Sequence, residues 1–447
     1  MRILHYFLGF PPYRTGGMTR YVSDLMLEQK KDQNEVSALW PGQICILSDK
    51  VRIRKRKQIM GINSYELINP LPVPLDEGIQ EVEACMKSCD CRVYCDFLSD
   101  IRPDVIHIHT LMGMHKEFMK AAGLLGIRTV YTTHDYFGIC PKVTLYRQGH
   151  ACENDHGCED CIRCNANALS LRKIMLLQSP LYRRIKNSTA VKKLRRRHRS
   201  AFFSEGTAVR PVNRESFCNA ADYRALRAYY MDMLKQMDMI HFNSAVTETV
   251  YKKYFIPKAC RIITITHRNI KDNRKRNRWN CGGKLKVTCL ASAKPFKGFD
   301  ILKEALDELW EEGRRDFELK VYSSVLNSSP YMKIYENGFK GEQLQDIMEK
   351  TDILVAPSIW YETFGFTVLE ALSYGVPVIV SDHVGAKDII GEGGMIVEAG
   401  NKKQLKDAIA GLTEERQTTL RKAVLESVVI KTWRTLVDET YVLYAGN

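Results

Sequence analysis

No uninterrupted apolar stretch in this 447-residue chain approaches the ~18–20 residues needed to span a bilayer, so no transmembrane helix is expected. Nor is a secretory leader expected. Arg2 leads into an apolar run from Ile3 to Phe10, but Pro11 and Pro12 close it and no small-residue cleavage site follows. The chain is therefore expected to stay in the cytoplasm, with its 14 cysteines reduced, as thiols or metal ligands rather than disulfides. Short-period repeats and low-complexity tracts are absent. One segment lacks acid altogether: between Cys161 and Ser204 stand twelve Lys or Arg and no Asp or Glu. The net charge is +14, and nearly all of it comes from that segment, which alone calls for an anionic partner.

What is present is a soluble globular composition, 45% apolar and 26% charged, on a chain long enough for two or three domains. Short apolar strands alternate with helical patterns. Ile3–Leu8, Asp104–His109, Thr129–His134 and Met239–Asn243 read as strands, with helices over Met18–Lys30 and Glu117–Leu125. After a polar, basic stretch from Lys271 to Lys286 the alternation restarts. Leu285–Leu290, Leu319–Ser323, Asp352–Ala356 and Val376–Ser381 are strand-like, with helical patterns at 299–311, 341–350 and 367–374. Such alternation predicts α/β architecture: two doubly wound parallel sheets, each covered by helices, facing a cleft. Ligands in such sheets bind beyond the carboxyl ends of the strands.

The most informative stretch runs from Ala356 to Val380. A buried strand ends at Ala356, and the loop after it carries Glu362. Gly365 lets the backbone pass close to a ligand. A helix begins near Phe366, so the free amides around Thr363 to Thr367 form an anion site at its positive end. Glu370 lies about one turn into that helix, which stops at Gly375 before Pro377 opens the next strand. Two carboxylates thus flank a phosphate-sized site, one suited to a sugar and the other to the hydroxyls of a ribose.

Read as Pro-Ser-x-x-x-Glu362-Thr-Phe-Gly-x-x-x-Leu-Glu370-Ala-x-x-x-Gly-x-Pro-Val, this pattern resembles the signature of retaining nucleotide-sugar glycosyltransferases of family 4. Those have the GT-B fold of two Rossmann-like domains. Gly16-Gly17 resembles that family's N-terminal glycine loop, and Lys297-Gly298 its phosphate-binding pair. His134-Asp135 stands where the family has an active-site histidine. Trp433 and Tyr441 sit in a tail similar to its final helix, which crosses back onto the first domain. The resemblance implies an N-terminal acceptor-side domain over 1–270 with a cysteine-rich, basic insertion at about 140–204. It also implies a nucleotide-sugar domain over 283–425 and a closing helix over 426–447.

Carried over residue by residue, it implies that Glu370 binds ribose hydroxyls and Glu362 the donor sugar. The amides of Phe364, Gly365 and Phe366 would hold sugar or diphosphate oxygens, and Lys297 would neutralise the leaving diphosphate. Gly17 would let its loop approach the phosphates. His134 would contact the transferred sugar, its backbone carbonyl facing the anomeric carbon. Gly338 would begin the base-binding loop. Two positions depart from the family: Ser292 replaces the usual Arg five residues before Lys297, and Ser323-Ser324 replaces a glycine turn. Lys294 is the nearest substitute for that charge, without the fork of an arginine. His109, at a strand end, is expected to be packed or hydrogen-bonded rather than catalytic.

Two further features stand outside the motif. Cys152, Cys158, Cys161 and Cys164 are spaced closely enough to close around one structural Zn²⁺, or to remain free thiols. Cys85, Cys89, Cys91 and Cys95 form a second, weaker group. In Leu169–Phe203, Ile174, Leu177, Leu181 and Ile185 recur at helical spacing, broken at Pro180. Arg183, Arg184, Lys186, Lys192, Lys193, Arg195, Arg196 and Arg197 surround or follow them. An apolar stripe edged with cations suits an anionic membrane surface; no aromatic platform or reading helix points to nucleic acid.

The expected activity is a metal-independent hexosyl transfer with retention, from a UDP- or GDP-linked sugar to a glycan or lipid-linked acceptor. It would serve cell-surface polysaccharide synthesis, with the protein held peripherally at the inner membrane face. No Asp-x-Asp pair stands at the cleft, and no cofactor is expected beyond a possible structural zinc. The alternatives are a zinc-stabilised nucleic-acid-binding protein on a degenerate version of the same fold, and a sugar-nucleotide epimerase.

Overall fold

The computed structural model describes residues 1–14, 16–45, 47–147, 149–153, 157–186, 188–191, 193–194, 218–275, 282–291 and 293–445. Its first half contains β1 (Arg2–Tyr6), β2 (Glu35–Pro41), β3 (Arg52–Ile59), β4 (Ile62–Ile68), β5 (Val105–Ile108), β6 (Arg128–Thr132), β7 (Tyr146–Arg147), β8 (His150–Ala151), β9 (Met239–Phe242) and β10 (Cys260–Ile262). Eight of these form one sheet in the order β10-β9-β6-β5-β1-β2-β4-β3, and β7 and β8 make a separate small ribbon. The second half contains β11 (Leu285–Cys289), β12 (Phe317–Val321), β13 (Met332–Ile334), β14 (Ile353–Ala356), β15 (Val378–Ser381) and β16 (Gly394–Val397), ordered β13-β12-β11-β14-β15-β16. All pairings in this second sheet are parallel.

The predicted strands and helices lie within a few residues of the observed ones. The first sheet departs from the expected parallel pattern at its edge, where β3 runs antiparallel to β4. Met60 and Gly61, both at positive φ, make the tight turn between them. This edge strand, Arg-Ile-Arg-Lys-Arg-Lys-Gln-Ile, carries five cations, a composition that discourages edge-to-edge pairing.

The central strands are buried on both faces, as parallel strands under helices must be. One apolar layer joins the two halves. It includes Phe7, Tyr21 and Leu25 of the first half, Val368 and Leu369 of the second, and Trp433, Leu436, Val437 and Leu443 of the last helix, Trp433–Ala445. That helix lies across the first domain: Tyr441 Oη donates to Asp32 (2.8 Å), Arg434 pairs with Asp32 (2.7 Å), and the Arg128 guanidinium donates to the Leu443 carbonyl.

Candidate active site

The second-domain wall begins where β14 ends. The loop that follows is pinned to the segment after β15. The Glu362 amide donates to the His383 carbonyl (2.9 Å), the Gly385 amide to the Glu362 carbonyl (3.0 Å), and the Ala386 amide to the Phe364 carbonyl (2.6 Å). Gly365 adopts φ 107° as it enters helix Phe366–Ser373, and a Cβ there would lie 3.0 Å from Val384. No side chain caps this helix. Its first amides therefore face an incoming anion without a competing protein oxygen at the cap.

Lys297 closes a short turn, Pro295–Lys297, beside the same loop. Gly298, at φ 73°, is required there because a Cβ would fall 1.8 Å from the Pro357 carbonyl oxygen. This close approach sets Lys297 against the loop. Its Nζ sits 2.7 Å from Glu362 Oε1 and 4.8 Å from the centre of the Trp360 ring. The pair is about four-fifths buried, so its attraction is less screened than that of a surface pair.

Glu370 stands one turn along the helix, 3.5 Å from His267 Nε2. His267, in the connection between the domains, also meets the Phe366 ring edge-on at 5.2 Å. No sequence pattern pointed to it. Gly338 lies at φ 68°, 3.7 Å from the Tyr322 carbonyl in terms of its absent Cβ. Tyr322 stacks on Tyr335 (4.6 Å, 7° between planes) and meets Phe339 edge-on, an aromatic group that sequence reasoning also missed. Ser323 Oγ accepts from the Ala293 amide, so the serine that replaces the family's glycine ties two loops together. Ser292 lies outside the described residues.

The first-domain wall is different in kind. His134 follows β6, its ring edge-on to Tyr21 at 5.0 Å. Its carbonyl accepts from Thr363 Oγ1 across the cleft (3.3 Å). Ser244 Oγ donates to the Thr363 carbonyl (2.9 Å), and Tyr361 Oη to Glu153 (2.9 Å). Thr363 thus joins the two walls, and the His134 carbonyl is held by a hydroxyl. Burial pushes the His134 imidazole down to about 3 and the neighbouring Asp135 carboxyl up to about 6. His109 is fully buried and hydrogen-bonded between His5 and His134. Gly16, at φ 136°, and Gly17 open helix Gly17–Lys31, which also has no side-chain cap; both glycines have open space where a Cβ would stand.

Of the four thiols in the insertion, Cys158 and Cys161 are buried. Cys140, Cys152, Cys161 and Cys164 line one small cavity with Arg227, whose Nη2 lies 3.9 Å from Cys161 Sγ. In the second thiol group, Cys85 points into the core. Cys89 approaches the Glu117 carboxylate, while Cys91 lies near Cys95 and the Glu117 carbonyl.

The described part of the basic segment begins with two short helices, Leu171–Leu177 and Pro180–Ile185, parted at Gln178 and Ser179, and the Ser179 hydroxyl caps the second. Two of the expectations for it need correction. Ile174 is 4% exposed and belongs to the core, because the first helix packs that side inward. Arg183 is not a free cation: its Nη1 donates to the fully buried Glu66 (2.8 Å) and its guanidinium lies over Tyr13. Glu66 also binds Arg56 of β3. Lys186 donates to the Pro12 and Tyr13 carbonyls. Leu176, Leu177, Leu181 and Ile185 remain exposed, as do Arg184 and Lys193. Lys192, Arg195, Arg196 and Arg197 lie outside the described residues.

Residues 284–415 match the model of the family described as glycosyl transferases group 1. The matched segment contains Lys297, Gly338, Glu362 and Glu370. Three relatives share parts of the chain. A phosphatidyl-myo-inositol mannosyltransferase of Propionibacterium freudenreichii is 28% identical over 155 residues, 33% of this chain and 40% of that protein. A GDP-mannose-dependent alpha-mannosyltransferase of Mycobacterium tuberculosis is 32% identical over 117 residues, 26% of this chain and 30% of that protein. The lipopolysaccharide core biosynthesis mannosyltransferase LpsB of Rhizobium meliloti is 36% identical over 84 residues, 17% of this chain and 24% of that protein. The matches therefore span less than half the length of these relatives.

Solved structures resemble the whole chain. The alpha,alpha-trehalose 6-phosphate synthase of Burkholderia multivorans aligns with a TM-score of 0.56 at 10% identity, covering 99% of this chain and 96% of that one. The sucrose-phosphate synthase of Thermosynechococcus elongatus aligns at 0.53 with 14% identity, covering 99% and 98%. The fold is GT-B: two parallel-sheet α/β domains facing a cleft.

Proposed function

We propose that this protein is a retaining glycosyltransferase of the family 4 type. It moves a hexose from a UDP- or GDP-linked sugar to a glycan or lipid-linked acceptor in cell-surface polysaccharide synthesis. The observation that carries this reading is the Lys297–Glu362 pair at 2.7 Å beside the uncapped helix Phe366–Ser373, with Glu370 one turn further on and His134 across the cleft. Lys297 and the helix amides offer positive charge where a diphosphate leaves, which is the largest need of such a transfer. Glu370 and His267 suit ribose hydroxyls, and the Tyr322, Tyr335 and Phe339 rings beside Gly338 suit a base. The mannosyltransferases among the relatives make GDP-mannose the first donor to try. Those relatives being transferases disfavours both the nucleic-acid and the epimerase alternatives.

The test is to incubate the protein and membrane lipids with labelled UDP- and GDP-sugars, with and without EDTA. Product of retained anomeric configuration, formed undiminished in EDTA, supports the reading. No transfer from any donor, or activity restored only by Mg²⁺ or Mn²⁺, counts against it.

Peripheral attachment to an anionic membrane is part of the same proposal. Exposed Leu176, Leu177, Leu181 and Ile185 supply apolar burial, and Arg184, Lys193 and the basic residues after them supply charge. The thiols Cys152, Cys158, Cys161 and Cys164 suit a structural zinc by their chemistry, since four sulfurs leave no coordination position for water. About one equivalent of zinc after reducing, chelator-free purification, lost in Cys161→Ser, is the expected result.

A further inference from the structure

The first-domain wall is backed by a line of buried histidines on neighbouring strands: His5 on β1, His107 on β5, His109 just beyond it and His241 on β9. Ring nitrogens of His5, His107 and His109 come within 4.8 Å of one another, a spacing that could hold a metal ion. Every one of those nitrogens already has a protein partner, however, and the partners form a continuous chain. His134 Nε2 lies 3.1 Å from His109 Nδ1, and His109 Nε2 lies 3.0 Å from His5 Nδ1. His5 Nε2 lies 2.7 Å from Gln29 Oε1, and Gln29 Nε2 lies 2.9 Å from Tyr444 Oη on the last helix. Tyr444 Oη reaches His107 Nδ1 (2.7 Å), His107 Nε2 reaches Thr132 Oγ1 (2.7 Å), and Thr132 Oγ1 reaches His241 Nδ1 (3.0 Å). His241 Nε2 ends the chain 2.8 Å from the Ile263 carbonyl, where the interdomain connection begins.

A carbonyl only accepts, and that fixes every proton in the chain. His241 must carry its proton on Nε2. As a neutral ring it then accepts at Nδ1, so Thr132 donates to it and must accept from His107 Nε2. His107 Nδ1 accepts from Tyr444, whose oxygen accepts from the Gln29 amide nitrogen. The Gln29 oxygen then accepts from His5 Nε2, His5 Nδ1 from His109 Nε2, and His109 Nδ1 from His134 Nε2. The opposite direction would set His241 Nε2 as a bare acceptor against the Ile263 carbonyl. Neutral rings are what burial enforces: His5 and His241 are pushed down to about 4, and His107 and His109 well below the ordinary range.

We propose that this chain, anchored at the Ile263 carbonyl, sets the tautomer of His134, with Nε2 protonated and committed to His109 and Nδ1 left as a hydrogen-bond acceptor. An acceptor is the complement of a sugar hydroxyl, so on the glycosyltransferase reading above, His5, His109, Gln29, Tyr444, His107 and Thr132 are positioning residues that orient His134 toward the transferred sugar. Tyr444 and the Ile263 carbonyl both come from segments that connect the domains, so the chain also ties the ring that faces the cleft to the domain junction.

Imidazole nitrogen NMR of the ligand-free, full-length protein tests this without assuming any activity. The wild type should show His134 as the single Nε2–H tautomer. Tyr444→Phe and Thr132→Val each remove one hydroxyl from the chain without touching the His134 ring; His134 signals should move toward tautomer averaging in both. In a transfer assay the same variants should show a several-fold lower kcat with donor KM unchanged. His134 protonated at Nδ1 in the wild type overturns the proposal. So does a His134 spectrum that stays unmoved in both folded variants. If the NMR result holds while no sugar is transferred, the functional reading fails and the tautomer assignment stands.

Discussion

The two walls of the cleft use opposite electrostatics. The second-domain wall is ionic: Lys297 against Glu362, Glu370 beside His267, and an uncapped helix end. The first-domain wall is neutral: five imidazoles, His5, His107, His109, His134 and His241, held uncharged by burial and ordered only by hydrogen bonds. An ionic wall suits an anion that arrives and leaves. A neutral wall suits hydroxyls, for which the position of each proton matters more than net charge. The contrast teaches that ion pairing in this protein is placed where a diphosphate would sit, while the imidazoles of the opposite face carry no charge.

The largest expected break in this contrast is acid. A buried ring with a depressed pKa binds no proton in the fold while the unfolded chain does. Stability from such rings is therefore complete above the unfolded value of about 6.5 and is lost as pH falls toward about 4. Each ring contributes up to ~1.4 kcal/mol per pH unit in that window. Asp135, raised to about 6, works the other way, but it is one carboxyl against five rings. Denaturant midpoints should drop steeply between pH 6.5 and 4; a flat profile would mean that the rings are charged in the fold.

Next comes the ionic wall. Lys297→Ala or Glu362→Ala should lower turnover by about 100-fold, the usual scale for losing one preorganised group facing developing charge, with nucleotide affinity changed much less. Equal kinetics in both variants would remove the ion pair from the chemistry. Glu370→Ala should instead weaken nucleotide binding by ~1.5–3 kcal/mol, the range for a hydrogen bond to a charged group, as read by calorimetry with the free nucleotide.

The smallest effect separates two neighbouring arginines. Arg183→Ala should cost ~1–3 kcal/mol of stability because it strips a partner from buried Glu66, Arg56 remaining. Arg184→Ala should leave stability unchanged but weaken binding to anionic vesicles by ~1 kcal/mol. The reverse pattern would put the membrane contact on the other face of that helix.

The second-domain wall was legible because its parts are local. Glu362, Gly365 and Glu370 fall within nine consecutive residues, and strand-loop-helix signals bracket them. Lys297-Gly298 needed the family resemblance, and its reason is steric: only a glycine tolerates the Pro357 carbonyl 1.8 Å from a Cβ position. The strand and helix alternation carried the two doubly wound domains, because periodicity records which faces are buried, and the motif resemblance supplied the GT-B name. The alternation missed the antiparallel β3 edge, a half-exposed strand rich in charge.

By itself the sequence determined the fold, the ionic half of the cleft, and that one basic segment lacks acid. Only the tertiary structure decided which cations in that segment are free, since Arg183 and Glu66 lie 117 residues apart. It alone also brought His267 to Glu370 and strung His134 to Ile263 through side chains spread from His5 to Tyr444. Periodicity and motifs report on neighbours along the chain. A hydrogen-bond relay depends on atoms meeting to within a few tenths of an ångström, and here those atoms come from four strands, two helices and a connection that meet only when the last helix packs back onto the first domain.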